Sequence, residues 1–218
     1  MFDIFTKTGL IEFLYTLPAL LISLSIHEFA HAYVAYKLGD KSQKALGRLS
    51  LDPFTHIDPF GFICIALFGF GWGKPVFVDD RNFKNKARGN MFVSLAGPMA
   101  NLLLAVILTL VLKVLFMFNL VNLSTTALTV SSIIGSMLIL AIQFNIVFAI
   151  FNLIPIPPFD GSKVLFYFLP GKAKNIMYTL ERYSFLIIVI LLITNLAVYI
   201  ISPVVNFIYA LLMYILLI

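Results

Sequence analysis

Cysteine is nearly absent from this 218-residue chain. Cys64 stands alone, which excludes an internal disulfide and a thiolate metal cluster. Charge is scarce as well: Asp, Glu, Lys and Arg make up 11% of residues against 61% hydrophobic ones, and the mean hydropathy is +1.02. Such a balance excludes a soluble globular domain and defines an integral membrane protein. No polar block is long enough to build its own core, so a single membrane-embedded domain over 1–218 is expected. The net charge of +5 comes from residues in loops beside hydrophobic runs, where they orient the chain in a lipid bilayer, and no nucleic-acid partner is expected. The N-terminus has one lysine and no Ala-x-Ala site before the first apolar run, so that run is expected to remain in the mature protein.

What is present is a set of long apolar segments. A hydrocarbon core about 30 Å thick takes roughly 20 helical residues, and this criterion selects core spans at 10–38, 91–118 and 129–153. A further block, 184–218, is interrupted by Ser202-Pro203 into halves of about 16 to 18 residues, giving one or two C-terminal spans. The expected fold is an all-α polytopic membrane protein with about four to six transmembrane helices. Between the first two spans, 57–78 combines Gly61, Gly69, Gly71 and Gly73 with aromatic and β-branched residues. It reads as a small membrane-embedded β-hairpin or re-entrant region, with a short ordinary span as the alternative. Lysine and arginine crowd the regions 37–48, 74–88 and 163–182, whereas 119–126 has none. The positive-inside rule therefore places the first group in the cytoplasm, for a multi-pass protein of the cell membrane.

His27-Glu28-Phe29-Ala30-His31 interrupts the first apolar run. On a helix, positions i and i+4 share a face, so His27 and His31 can offer two imidazole nitrogens to one divalent ion, with Glu28 placed to take a proton from metal-bound water. His27, Glu28 and His31 are the only acidic, basic or imidazole side chains between Glu12 and Lys37. Groups of this kind at membrane depth are costly unless they face a protein interior and have partners. Two histidines do not complete a catalytic site, which takes three protein ligands and an open position. The candidate third ligand is Asp160, in Asn152-Leu-Ile-Pro155-Ile-Pro157-Pro158-Phe-Asp160-Gly161, where the prolines end a long helix. The competing reading makes Asp160 a plain N-cap of the next helix. His56, just before the glycine-rich region, is either a group behind the ligands or near substrate, or a loop residue without a role.

Together with Gly97-Pro98-Met99-Ala100-Asn101, which looks like a GPxxN element, these segments resemble the site-2 protease family of intramembrane zinc metalloproteases, in its compact prokaryotic form without a PDZ insertion. The resemblance implies one Zn2+ held by His27, His31 and Asp160, with Glu28 as catalytic base, Asn152 near the substrate carbonyl and a transmembrane protein as substrate. Asn152 would donate to the developing oxyanion or merely join two helices. Gly97, Pro98 and Asn101 are read as architecture, allowing close helix approach and one interhelical hydrogen bond. The active site would lie within the membrane toward its cytoplasmic side. The implied activity is peptide-bond hydrolysis in or near transmembrane segments, for regulated intramembrane proteolysis or clearance of signal-peptide remnants. A membrane metal transporter or sensor with the same ligands is the alternative.

Overall fold

In the computed structural model, residues 6–68, 71–121 and 130–217 are described. The Asn119 loop from 122 onward, the first residue of the span expected at 129–153, and Gly69 lie outside them. The chain forms α1 (Lys7–Lys37), α2 (Ser42–Ala45), α3 (Pro59–Phe68), α4 (Lys86–Met117), α5 (Val130–Asn152), α6 (Asp160–Phe168), α7 (Gly171–Arg182), α8 (Ser184–Ile193) and α9 (Leu196–Leu217). Four of these helices, α1, α4, α5 and α9, are long and apolar enough to cross a membrane; α7 and α8, bent by 68° at their junction, would make a fifth as one span. The protein is an all-α, multi-pass membrane protein.

Local chemistry sets the ends of the long helices. Thr6 caps α1 by accepting a hydrogen bond from the Gly9 N–H at 3.1 Å, and Asn85 caps α4 by accepting from the Arg88 N–H at 3.0 Å. At its other end α1 stops at Gly39, whose φ of +118° is a conformation that side chains disfavour.

Helices α1, α4 and α5 pack on one another, α6 leans on α4, and α9 covers α4 and α5. Lipid tails are as apolar as leucine, so burying apolar area does not by itself hold such helices together; close packing and interhelical hydrogen bonds must contribute. Close packing is supplied by Ala105 and Leu112 of α4, Ile142 and Ile146 of α5 and Leu212 of α9, all buried. The hydrogen bonds are supplied by a polar seam of Ser23, Asn101 and Asn145, each fully buried. Asn101 Nδ2 donates to the Asn145 Oδ1 at 2.7 Å and to the Ser23 carbonyl at 2.9 Å, while Asn145 Nδ2 donates to Ser23 Oγ at 2.8 Å. One seam thus ties α1, α4 and α5 together, at about 0.6–2 kcal/mol per bond.

Two regions sharpen the sequence reading. In the glycine-rich region, expected as a hairpin or re-entrant segment, α3 occupies 59–68, and beside it the described residues show one isolated antiparallel bridge, Ile57 to Gly73. A helix forms here because of where the glycines fall rather than how many there are. Only Gly61 lies inside α3, where the backbone of Trp72 packs so closely that a Cβ would collide with it; the other glycines follow the helix. At the C-terminus, Pro203 sits inside the continuous helix α9, and the interruption falls earlier, at Asn195, which adopts φ +53°. Next to Pro203, Ser202 Oγ donates to the Val198 carbonyl at 2.5 Å, a local adjustment of the kind that lets membrane helices tolerate proline.

The loop region 39–79 is built on buried polar anchors. Asp40, fully buried, accepts from Ser42 Oγ, from Gln43 Nε2 at 2.8 Å and from the Asp79 N–H at 2.9 Å. Gln43 Nε2 also donates to the Phe77 carbonyl at 2.7 Å. Arg48, 8% exposed, donates to the carbonyls of Thr55, Lys74 and Pro75. These anchors hold an extended segment, 73–79, against α1, where the Val76 N–H reaches Glu28.

Candidate metal centre

Residues 27 and 31 lie one turn apart on α1, facing α4 and the start of α6, and both imidazoles are buried. Asp160 reaches them from a different direction. The N-cap of α6 is Phe159, with no side-chain cap, so Asp160 is the first helical residue and its carboxylate is free to turn inward. Gly161 allows this turn, since a Cβ there would run into the Leu153 carbonyl. The N-terminus of α6 also favours a negative charge at this position.

The three candidate ligand atoms form a triangle. His27 Nε2 and His31 Nε2 are 3.0 Å apart, and Asp160 Oδ2 lies 3.2 Å from the first and 3.0 Å from the second. A tetrahedral ion with bonds of about 2.0–2.1 Å sets its donors about 3.3 Å apart, so the triangle matches zinc to within a few tenths of an ångström.

The proton inventory supports the same conclusion. His31 Nδ1 lies 2.7 Å from the Val93 carbonyl, which can only accept, so Nδ1 carries the proton. His27 Nδ1 lies 2.7 Å from Asn101 Oδ1. That amide cannot be turned around, because its other end faces the Ser23 carbonyl, which requires an N–H. His27 Nδ1 is therefore also a donor. In neutral imidazoles, both Nε2 atoms are then bare lone pairs, aimed at one another and at a carboxylate oxygen. Three acceptors converging with no donor between them fit a cation.

Two residues gain roles here that their sequence positions did not show. Asn101, read from sequence as helix-joining architecture, is the direct hydrogen-bond partner of His27 and fixes its tautomer, leaving Nε2 bare toward Asp160. At Gly97, α4 runs close against both histidines: a Cβ at this position would stand 2.5 Å from His31 Nε2 and 2.6 Å from His27 Cε1.

Glu28 stands outside the ligand triangle. Its Oε2 accepts from the Val76 N–H at 3.3 Å, which links it to the extended segment 73–79. Glu28 and the three ligands open onto one cavity of about 400 Å³, walled by Leu24, Val76, Val93, Phe148 and Phe151, with Asn152 and Lys163 on its lining. Asn152 Nδ2 donates to the Phe148 carbonyl of its own helix at 2.9 Å, leaving its second N–H. His56 does not join the ligands. It is fully buried beneath the extended segment, with Nε2 donating to the Ser50 carbonyl at 2.8 Å and its own carbonyl accepting from the Lys74 N–H at 2.7 Å. Trp72 lines the cavity while remaining half exposed.

Membrane-spanning helices around a His, His, carboxylate triangle with a glutamate beside it fit a membrane-embedded zinc metalloprotease. Comparison with known proteins makes the assignment specific. The model of Peptidase family M50 matches residues 15–195, and the chain belongs to that family. It is 38% identical over 192 residues to "Putative zinc metalloprotease YwhC" of Bacillus subtilis, covering 88% of this chain and 86% of that protein. It is 30% identical over 188 residues to "Putative zinc metalloprotease Rip2" of Mycolicibacterium smegmatis, covering 84% of this chain and 68% of the other. No solved structure matches the chain. Membership of a peptidase family decides between the two readings of the ligand set, in favour of hydrolysis over metal transport or sensing.

Proposed function

We propose that this protein is an endopeptidase that cuts membrane proteins in or near their transmembrane segments, with zinc on His27, His31 and Asp160 and with Glu28 as general base. The observation that carries this reading is the apolar cavity into which both Glu28 and the ligand triangle open. When bound, the zinc supplies Lewis acidity, raising the acidity of a water and polarising the scissile carbonyl. Glu28 takes the proton as the water oxygen bonds to the carbonyl carbon, and returns it to the leaving amine as the C–N bond breaks. The free N–H of Asn152 is available to the developing oxyanion. The buried seam behind His27 holds that imidazole fixed while this happens.

A transmembrane helix hides its carbonyls in i to i+4 hydrogen bonds, so a substrate must unwind locally before attack. The extended segment 73–79 supports a route for this. Its Phe77 carbonyl and Asp79 N–H are tied to the loop side by Gln43 and Asp40, and alternation along an extended chain turns Val76 and Val78 to the cavity they line. An unwound substrate would pair with that edge. Lysines and arginines flank this end of α1 and α4, which supports a cytoplasmic placement for the site. Fragment release for signalling and clearance of signal-peptide remnants are both served by this chemistry.

The test is cleavage of a single-span reporter by purified protein, with the cut located by mass spectrometry. Cuts within the span, faster when Gly or Pro is placed beside the site, are expected. Cuts confined to soluble regions remote from the span, or indifference to helix breakers, would overturn the reading.

A further inference from the structure

A second cavity, of about 460 Å³, lies away from the metal centre, where the end of α1 meets the start of α4. Its rim carries three cations, Lys37, Lys84 and Arg88, and its apolar surface comes from Leu38, Phe83 and Phe92. Among the described residues none of the three cations has a carboxylate partner; the nearby acids are already engaged, Asp79 by Arg81 at 2.8 Å and Asp80 by Lys86 at 3.5 Å. Lys37 and Arg88 instead lie over aromatic faces, 5.4 Å from the centre of the Tyr33 ring and 5.3 Å from that of Phe92.

The floor of this cavity is fixed. Phe83 is 6% exposed and packs with Ala35 and Val93. It presses so closely on Gly89 that a Cβ there could not be accommodated without moving the ring. Below the cavity, α4 exposes Phe92, Met99, Leu103, Val106 and Leu110. Their spacing of seven, four, three and four residues makes one apolar column running from the cavity along a membrane-crossing helix. Three unpaired cations above an apolar track match one amphiphile: an anionic head at the rim and an acyl chain along the column.

We infer that Lys37, Lys84 and Arg88 form a binding site for the phosphate of an anionic phospholipid, whose chain lies along the exposed face of α4. The recognition chemistry is that of a phosphate diester among basic side chains. The rim stands at the end of a membrane-crossing helix, at the depth where a bilayer itself holds headgroup phosphates, which favours the lipid over a free ion. The cytoplasmic orientation proposed above puts the site in a leaflet rich in such lipids.

The test uses the full-length protein in nanodiscs of phosphatidylcholine doped with phosphatidylglycerol, with retained lipid counted by native mass spectrometry. Wild type is expected to retain one phosphatidylglycerol in preference to phosphatidylcholine. K37Q/K84Q/R88Q is expected to bind it roughly a hundredfold more weakly, with zinc content unchanged. A control of equal charge change away from the cavity, K41Q/K44Q/K172Q, should keep the wild-type preference. Should the triple variant misfold, R88Q alone serves, with a loss of roughly fivefold to tenfold. Equal retention by wild type and the rim variants, or equal loss in the control, would overturn the site. Displacement by millimolar inorganic phosphate would overturn the lipid assignment in favour of the free ion.

Discussion

Replacing Gly97 by alanine adds one methyl group at the point where α4 touches the metal ligands. The new Cβ would stand 2.5 Å from His31 Nε2 and 2.6 Å from His27 Cε1, whereas relaxed carbon contacts lie at about 3.5–4.0 Å. Something must move by roughly 1 Å. The imidazoles cannot easily yield, because each is anchored at Nδ1 by a 2.7 Å hydrogen bond, to Asn101 and to the Val93 carbonyl. The α4 backbone cannot easily retreat either, because the Asn101 seam holds it to α1 and α5. Overpacking of this kind costs about 1–3 kcal/mol. A metal site tolerates only about 0.2 Å in its ligand distances, so zinc affinity should fall on the order of 10- to 100-fold, as for loss of an outer-shell partner. The assay is retained zinc per protein during dialysis against chelators of increasing strength, with thermal unfolding in parallel. Wild-type zinc retention by Gly97→Ala would refute the packing argument, and so would equal destabilisation of zinc-loaded and zinc-stripped protein.

Asn101→Ala removes the acceptor of the His27 Nδ1 proton and two seam hydrogen bonds; zinc retention should fall about 10- to 100-fold in the same dialysis, and an unchanged value would remove Asn101 from the site. The loop scaffold should fail in acid. Burial pushes the Asp40 carboxyl up, but hydrogen bonds from Ser42, Gln43 and the Asp79 N–H outweigh it and hold it below the usual range, while Asp79 is held down to about 2 by hydrogen bonds from Arg81. Depressed carboxyls contribute stability that is complete above their unfolded value of about 3.9 and lost as pH falls through the lower folded value. Proteolytic nicking within 39–79 should therefore rise as pH drops from about 4 toward 2, and Asp40→Asn should flatten that dependence.

Much of this architecture was legible in the sequence for identifiable reasons. The pairing of His27 and His31 follows from helical periodicity alone, and the proline run before Asp160 announces a break that no continuous helix could make. The spans expected at 91–118 and 129–153 depend on length and hydropathy, which a bilayer enforces strictly. The glycine-rich region was harder. The glycines within 57–78 left a hairpin, a re-entrant segment and a short span all open, yet α3 ends just before most of them, so their position mattered more than their number. Pro203 was read as an interruption because the sequence cannot show how neighbouring groups adjust to a missing N–H. The role of Asn101 was out of reach for a different reason. Its partner His27 lies 74 residues away, and only the packing of α4 on α1 brings the two side chains together.

The proposed chemistry requires Glu28 as a base and His27, His31 and Asp160 as the residues that hold the zinc. Its most direct test compares wild type and Glu28→Gln, measuring cleavage of a single-span reporter and bound zinc in the same preparations. Glu28 lies outside the ligand triangle, so cleavage should fall at least 100-fold, the usual contribution of a general base, while zinc content stays at one ion per chain as in wild type. Cleavage retained by Glu28→Gln, or zinc lost together with activity, would contradict the account.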